Sequence, residues 1–510
     1  MSFDYGELRT KAKAIVQIPE HYRQVMEDNN RDEQERSFIW EDPDKDDCQI
    51  EITLDIQTGQ LISLDINMEA KDSIDQASSA EEVMAVTDAF LVKYSPGYSA
   101  FTWVNSEKKG NLRFITYREE VGGLPLPDTG CKMILDNELN VIRYQVEKSR
   151  QKAAPKPEWP SIIVDVETVR QQVLKDMRME LTIVALYSSM YEMEGTEPEY
   201  RLVYEPIPGH RLIDAVTGID LFGMEHYVMP SCLPITPMES DKSNEPTIKD
   251  IATLEIELGI DPEVYLLENS KDDGERIKRL YKFRGEVVED PESEALSVDA
   301  YMKRKWGDSL RNLEASCKIQ FEKSTGRLVG FHRSERKKEA AQSLTRKQCW
   351  EKAEQFLQQV FPEYTSYLQI EVDQEDMDVQ PREREFFYLP VYIGNIPVNH
   401  ERVMVSVSTS TGKICVFRGV SYEMIRDLEE CDFLYPTLTA EKAFGLYSEY
   451  VRFRLRWFKD LEDEDRPVYR LIYEPITTGQ KGFSLDAGCN SGLRYVDACS
   501  GELIWERDYL

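Results

Sequence analysis

The heptapeptide Tyr200-Arg201-Leu202-Val203-Tyr204-Glu205-Pro206 returns as Tyr469-Arg470-Leu471-Ile472-Tyr473-Glu474-Pro475, with six identities in seven. On a strand, Tyr200, Leu202 and Tyr204 share one face, and Arg201, Val203 and Glu205 share the other. The pattern admits two kinds of chemistry. In one, Arg201 and Glu205, with Arg470 and Glu474, are binding groups on an exposed sheet face. In the other, the tyrosines pack against a helix and the charges form a cross-strand ion pair of roughly 0.2–1 kcal/mol. A motif present in both copies of a duplication is what maintenance of a fold gives, so the second reading is the stronger.

Elsewhere the ingredients of catalysis are scattered. Histidines stand at 21, 210, 226, 332 and 400, with no HExxH or HxH spacing. His210 and His226 flank one hairpin, where exposed or capping roles are expected. Asp42, Asp44 and Asp46 imitate the first half of a calcium loop, but Asp47 replaces its glycine and Thr53 its closing glutamate. That run and the acids from Asp460 to Asp465 read as solvated loops. No GxSxG, P-loop or dinucleotide fingerprint stands in a strand-to-helix context. The expectation is a protein without catalytic residues, metal or cofactor.

The residues that could recognise a partner must be positioned by repeated elements. Ile18-Pro19-Glu20-His21-Tyr22 is echoed by Ile260-Asp261-Pro262-Glu263-Val264-Tyr265, and Gly122-Gly123-Leu124-Pro125-Leu126 by Gly394-Asn395-Ile396-Pro397-Val398. Pro96-Gly97-Tyr98 matches Pro362-Glu363-Tyr364, and Ile213-Asp214-Ala215 matches Val496-Asp497-Ala498. Five ordered echoes make the chain a duplication.

A finer unit recurs inside each half. Thr58-Gly59, Thr217-Gly218, Thr325-Gly326, Thr411-Gly412 and Ser500-Gly501 each separate two apolar segments, as hairpin turns do. Aligning residues 135–140 on 321–326 puts Asn140 in a sixth glycine slot, a left-handed position that Asn tolerates. Helices precede the hairpins. Ser79 with Glu82 and Thr345 with Gln348 form capping boxes, and Asp165 and Thr439 open two more helices. The expected fold is α+β: helices packed on three- to four-stranded antiparallel sheets, six units in two homologous halves. The units fall at about 1–70, 78–148 and 160–230, then 246–335, 343–422 and 437–510. Residues 1–235 and 246–510 are the halves, and 236–245 the linker.

Composition narrows the partners. The 510 residues carry 62 Lys and Arg against 94 Asp and Glu, a formal charge of −32. That argues against a nucleic-acid backbone or an anionic membrane as the main partner. The opening residues show no signal peptide, and the most apolar run, Leu181 to Tyr187, is too short to span a bilayer. Nine cysteines without a CxxC pair read as reduced thiols, and the expected location is the cytoplasm.

The helix opening Leu438-Thr439-Ala440-Glu441-Lys442-Ala443 and the endings Leu212 to Gly218 and Tyr495 to Gly501 resemble a PepSY-type repeat. The Gly122 and Gly394 segments resemble the propeptides of thermolysin-type metallopeptidases. With its duplicated units, the chain is similar to the YcdB/YcdC-type repeat family of spore-forming bacteria. The resemblance implies a helix-plus-sheet unit and, by analogy, inhibition or chaperoning of a peptidase. It brings no catalytic residues to carry over. The expected function is therefore non-catalytic binding of a protein or an extended peptide, a peptidase being the partner class the resemblance implies. A hydrolase with a site between the halves, and a structural spore or envelope component, are the alternatives.

Overall fold

A computed structural model describes residues 4–30, 34–45, 47–68, 79–147, 154–195, 199–223, 231–235, 251–284, 296–311, 316–334, 343–371, 382–431, 435–463, 466–478 and 492–507. Alternating apolar residues pair the first strands into one eight-stranded sheet. Its spatial order is Arg23–Asn30, Glu35–Glu41, Gln49–Asp55, Leu61–Asn67, Val141–Val146, Cys131–Leu135, Leu112–Arg118, Trp103–Lys109. The two expected units thus share a sheet, joined antiparallel through their last strands, with Tyr144 opposite Leu64. Helices Tyr5–Lys13 and Ala80–Tyr94 cover one face. Leu8, Ala12, Val83 and Leu91 meet Ile50, Ile52 and Leu54 there in a closed core. The capping boxes at Ser79 and Thr345 form, satisfying otherwise orphaned amides.

The second half repeats this plan. Tyr265–Asp272, Arg276–Phe283, Ser316–Glu322 and Leu328–Arg333 meet Ile414–Arg418 and Ile396–Ser408 through Leu328–Arg333 and Ile414–Arg418. Arg384–Ile393 completes that side by pairing with Ile396–Ser408. Helix Arg346–Val360 lies on it, burying Cys349, Ala353, Phe356 and Leu357. Unit four also carries an insertion. Helix Val298–Arg311 leaves its own sheet and docks on the first, where Tyr301 packs with Met26 and Ile39.

The third and sixth units are interlaced. The hairpin Arg178–Leu186 with Glu199–Ile207 joins the second-half sheet, Ile183 lying parallel beside Val398. Its other side pairs with Leu493–Asp497 and so with Leu503–Trp505. Conversely, the second-half hairpin Val451–Asp460 with Val468–Thr477 pairs with first-half Ile213–Asp214. Helices Val166–Asp176 and Ala440–Ser448 pack on the hairpin of the opposite half. The pairings therefore run across the boundary drawn between 1–235 and 246–510, and the two halves are not self-contained. The expected linker, 236–245, lies outside the described residues.

Glycines 59, 218, 326, 412 and 501 close five hairpins at φ from 64° to 78°, where a β-carbon is costly. The sixth hairpin corrects the expectation for Asn140. Asp136 N bonds Asn140 O at 3.0 Å, a loop one residue shorter than that of Glu322 N to Arg327 O. Leu139, not Asn140, takes the positive φ of 62°.

Candidate functional site

The duplicated heptapeptide and the repeated hairpin turn meet across the exchange. Asp214 and Asp497 open their turns and accept backbone hydrogen bonds on Oδ1, from Val216 and Thr217 and from Cys499 and Ser500. Their other oxygens face the heptapeptide of the opposite half: Asp497 Oδ2 lies 3.7 Å from Arg201, and Asp214 Oδ2 3.8 Å from Arg470. The main chain repeats this reciprocity. Ala498 N donates to Leu202 O at 2.9 Å, and Ala215 N to Leu471 O at 2.8 Å. Tyr204 Oη donates to Leu438 O at 2.8 Å, and Tyr473 Oη to Val164 O at 3.0 Å.

Each charged residue singled out in the sequence is thus engaged inside the fold. Arg201 holds Glu199 at 3.0 Å and Glu502 at 2.8 Å, and Arg470 holds Asp460 at 2.6 Å. Glu474 accepts from Arg454 at 2.7 Å and Arg456 at 2.8 Å. Burial pushes its carboxyl up, but the Arg456 and Arg454 hydrogen bonds outweigh this and hold it below the usual range. Glu205 has Arg494 at 2.6 Å and the Asn399 amide at 3.3 Å. There burial prevails over Arg494 and His400, and the carboxyl lies above the usual range. Glu401 is likewise raised, by burial. Asp214 and Asp497 stand in a repeat the sequence shows, but their facing Arg470 and Arg201, and the parts of Arg494 and Asn399, escape sequence reasoning because strands of different halves bring them together.

His400 sits at φ 65° in a bulge where Tyr392 pairs with Pro397 and Pro390 with Arg402. The bulge re-aims Asn399 toward Glu205, as bulges do. Chemically the junction is an ion-pair lattice that registers two hairpins. His210 belongs to no metal-ligating group of three, no such cluster being present among the described residues. Asp46 and His226 lie outside those residues.

Sheet edges supply the other surface. Arg23–Asn30, an edge of the first sheet, is covered by the inserted segment of unit four: Glu27 N donates to Leu296 O at 2.8 Å, and Val298 N to Asp28 Oδ2 at 2.9 Å. Its counterpart in the second half, Tyr265–Asp272, ends the long sheet with no strand on its outer side among the described residues. Leu266 and Leu267 there are 52% and 44% exposed. The remaining edge of the first sheet, Trp103–Lys109, carries exposed Lys108, a charge that blunts pairing. No described helix is long and apolar enough to cross a membrane.

A family model described as the YcdB, YcdC repeated domain matches residues 5–148 and 289–421. The first match coincides with the complete eight-stranded sheet and its helices. The uncharacterized protein YcdB of Bacillus subtilis (strain 168) is 25% identical over 496 residues, 94% of this chain and 98% of that one. The uncharacterized protein YcdC of the same strain is 25% identical over 480 residues, 92% and 96% of the two chains. The Bacillus megaterium YpeB C-terminal domain covers 43% of this chain and 96% of its own, at 15% identity and a TM-score of 0.26. Two copies of the repeated domain, together spanning more than half of the sequence, place this chain in the YcdB/YcdC repeat family.

Proposed function

We propose that the protein is a non-catalytic binding module that takes up an extended polypeptide segment by adding it to the edge strand Tyr265–Asp272. One observation carries this reading. The equivalent edge, Arg23–Asn30, is already covered by another segment of the chain: its Glu27 N donates to Leu296 O, and its Asp28 carboxylate accepts from Val298 N at the start of helix Val298–Arg311. The second edge offers the same backbone groups with exposed Leu266 and Leu267 beside them. A charge of −32 favours neutral or basic segments. The heptapeptide charges Arg201, Glu205, Arg470 and Glu474 then act indirectly, by holding the interlaced hairpins that anchor the sheet. No disulfide joins the eight described cysteines, which fits a reducing, cytoplasmic setting.

The PepSY-like character of each unit, and a peptidase as the source of the segment, belong to the same proposal. Raised carboxyls at Glu205 and Glu401 favour the competing reading of a hydrolase at the junction. Anisotropy titrations with extended peptides, some from peptidase propeptides, beside a hydrolase panel decide between them. Binding that weakens with salt and falls in Leu266→Lys and Leu267→Lys is expected. Turnover lost in Glu205→Gln overturns the proposal in favour of the hydrolase. Absence of both leaves a structural component as the account.

A further inference from the structure

Over one end of the first sheet, Ile15 and Val16, which follow helix Tyr5–Lys13, and the last turns of helix Ala80–Tyr94 border a half-open cavity of about 720 Å³. That volume lies within the roughly 300–1,000 Å³ usual for small-molecule sites. Its body is apolar, formed by Val16, Leu64, Ile66, Phe90, Leu139 and Val141 among others. Tyr94 Oη closes the roof by donating to Ile15 O at 3.2 Å. One wall is the hairpin turn Asp136–Asn140.

That turn departs from the rest of the protein. Five equivalent hairpins hold glycine at the left-handed position, and this one holds Leu139 at φ 62°. A leucine there is strained by about 1 kcal/mol or more, and its side chain lines the cavity. The charged residues that line the cavity are of one sign. Asp136 and Glu138 line it, and no Lys, Arg or His does so among the described residues. Lys13 and Lys93, in the last turns of the two helices, are exposed and outside the lining; Lys93 lies over the Tyr94 ring.

We infer that this cavity is a binding site for an amphipathic cation: a small molecule with an apolar body of drug-like size and an ammonium head placed at Asp136 and Glu138. An anionic amphiphile of the same length is disfavoured by charge. Asp136 is committed to its turn, accepting from Glu138 N, Asn140 N and Asn140 Nδ2, whereas Glu138 accepts from Asn140 Nδ2 at 3.4 Å, a contact a glutamine amide can keep, so Glu138→Gln is the milder change to the hairpin. The site is independent of strand addition at Tyr265–Asp272, which lies in the other half.

The test uses the full chain and two probes, decylammonium and decanoate, below their micellar range, read by calorimetry and by protection of amides around Asp136–Ile142. Saturable binding of decylammonium at least tenfold tighter than decanoate is expected. Glu138→Gln should weaken the amine about two- to fivefold, the worth of one rim charge. Met68→Trp, at a lining position already 42% exposed, should reduce it tenfold or more with unchanged melting. Equal binding of decanoate, indifference to Met68→Trp, or no binding of either probe overturns the inference.

Discussion

Glu205 and Glu474 occupy one position of a repeated motif, yet their environments shift their titration in opposite directions. Two arginines hold Glu474 low, whereas Glu205 has one arginine and more burial than that arginine offsets. The sign of each pH dependence follows. The lowered Glu474 contributes stability above the ordinary glutamate pKa, and this is lost as pH falls through its folded value. Glu474→Gln should therefore cost about 1–3 kcal/mol at neutral pH and progressively less toward acid. The raised Glu205 contributes most below the ordinary value, and this fades as pH rises through its higher folded value. Urea melts of Glu205→Gln against the parent should thus slope the other way. Parallel profiles for the two variants would contradict the assignment. At Gly412, φ is 69°, and a β-carbon added there would meet Leu344 Cδ1 at 3.1 Å. Gly412→Val should accordingly cost about 1–3 kcal/mol in the same melts.

At the scale of elements, local chemistry is legible in the sequence and partnership is not. Ser79, Thr345, Asp165 and Thr439 cap their helices as their sequences indicate, because a cap needs only the next three residues. The hairpin glycines are equally local. The left-handed slot falls one residue before Asn140 because loop length is fixed by the pairing of Asp136 with Asn140, which a sequence alignment does not see. The insertion helix Val298–Arg311 escapes sequence reading for a related reason: its apolar residue Tyr301 is matched to Met26 and Ile39 of the other half. Tyr301 also donates to Glu41 at 2.8 Å. Tyr301→Ala should destabilise by about 2–4 kcal/mol and raise amide exchange along Arg23–Asn30, the edge that this segment covers. Unchanged exchange there would detach the helix from that role.

For the whole molecule, the reciprocal exchange of hairpins makes the two halves one folding unit at their centre, while the first sheet keeps a core of its own. Residues 5–148 alone should fold cooperatively. Residues 1–235 and 246–510, expressed separately, should each leave a hairpin unpaired and show incomplete near-ultraviolet signals. Mixing them should restore those signals by forming a complex, and two independently complete halves would contradict the interlaced pairing. The duplication is legible in the sequence; the crossing of strands is not, since either arrangement buries the same residues in the same registers. Charge operates at this scale too, so association with basic segments should weaken as salt rises. The most direct measurement of the proposed function is hydrogen exchange across the chain during titration with a basic extended peptide. The account predicts new protection concentrated in Tyr265–Asp272, lost in Leu266→Lys. Saturable binding that leaves that strand unprotected would contradict it.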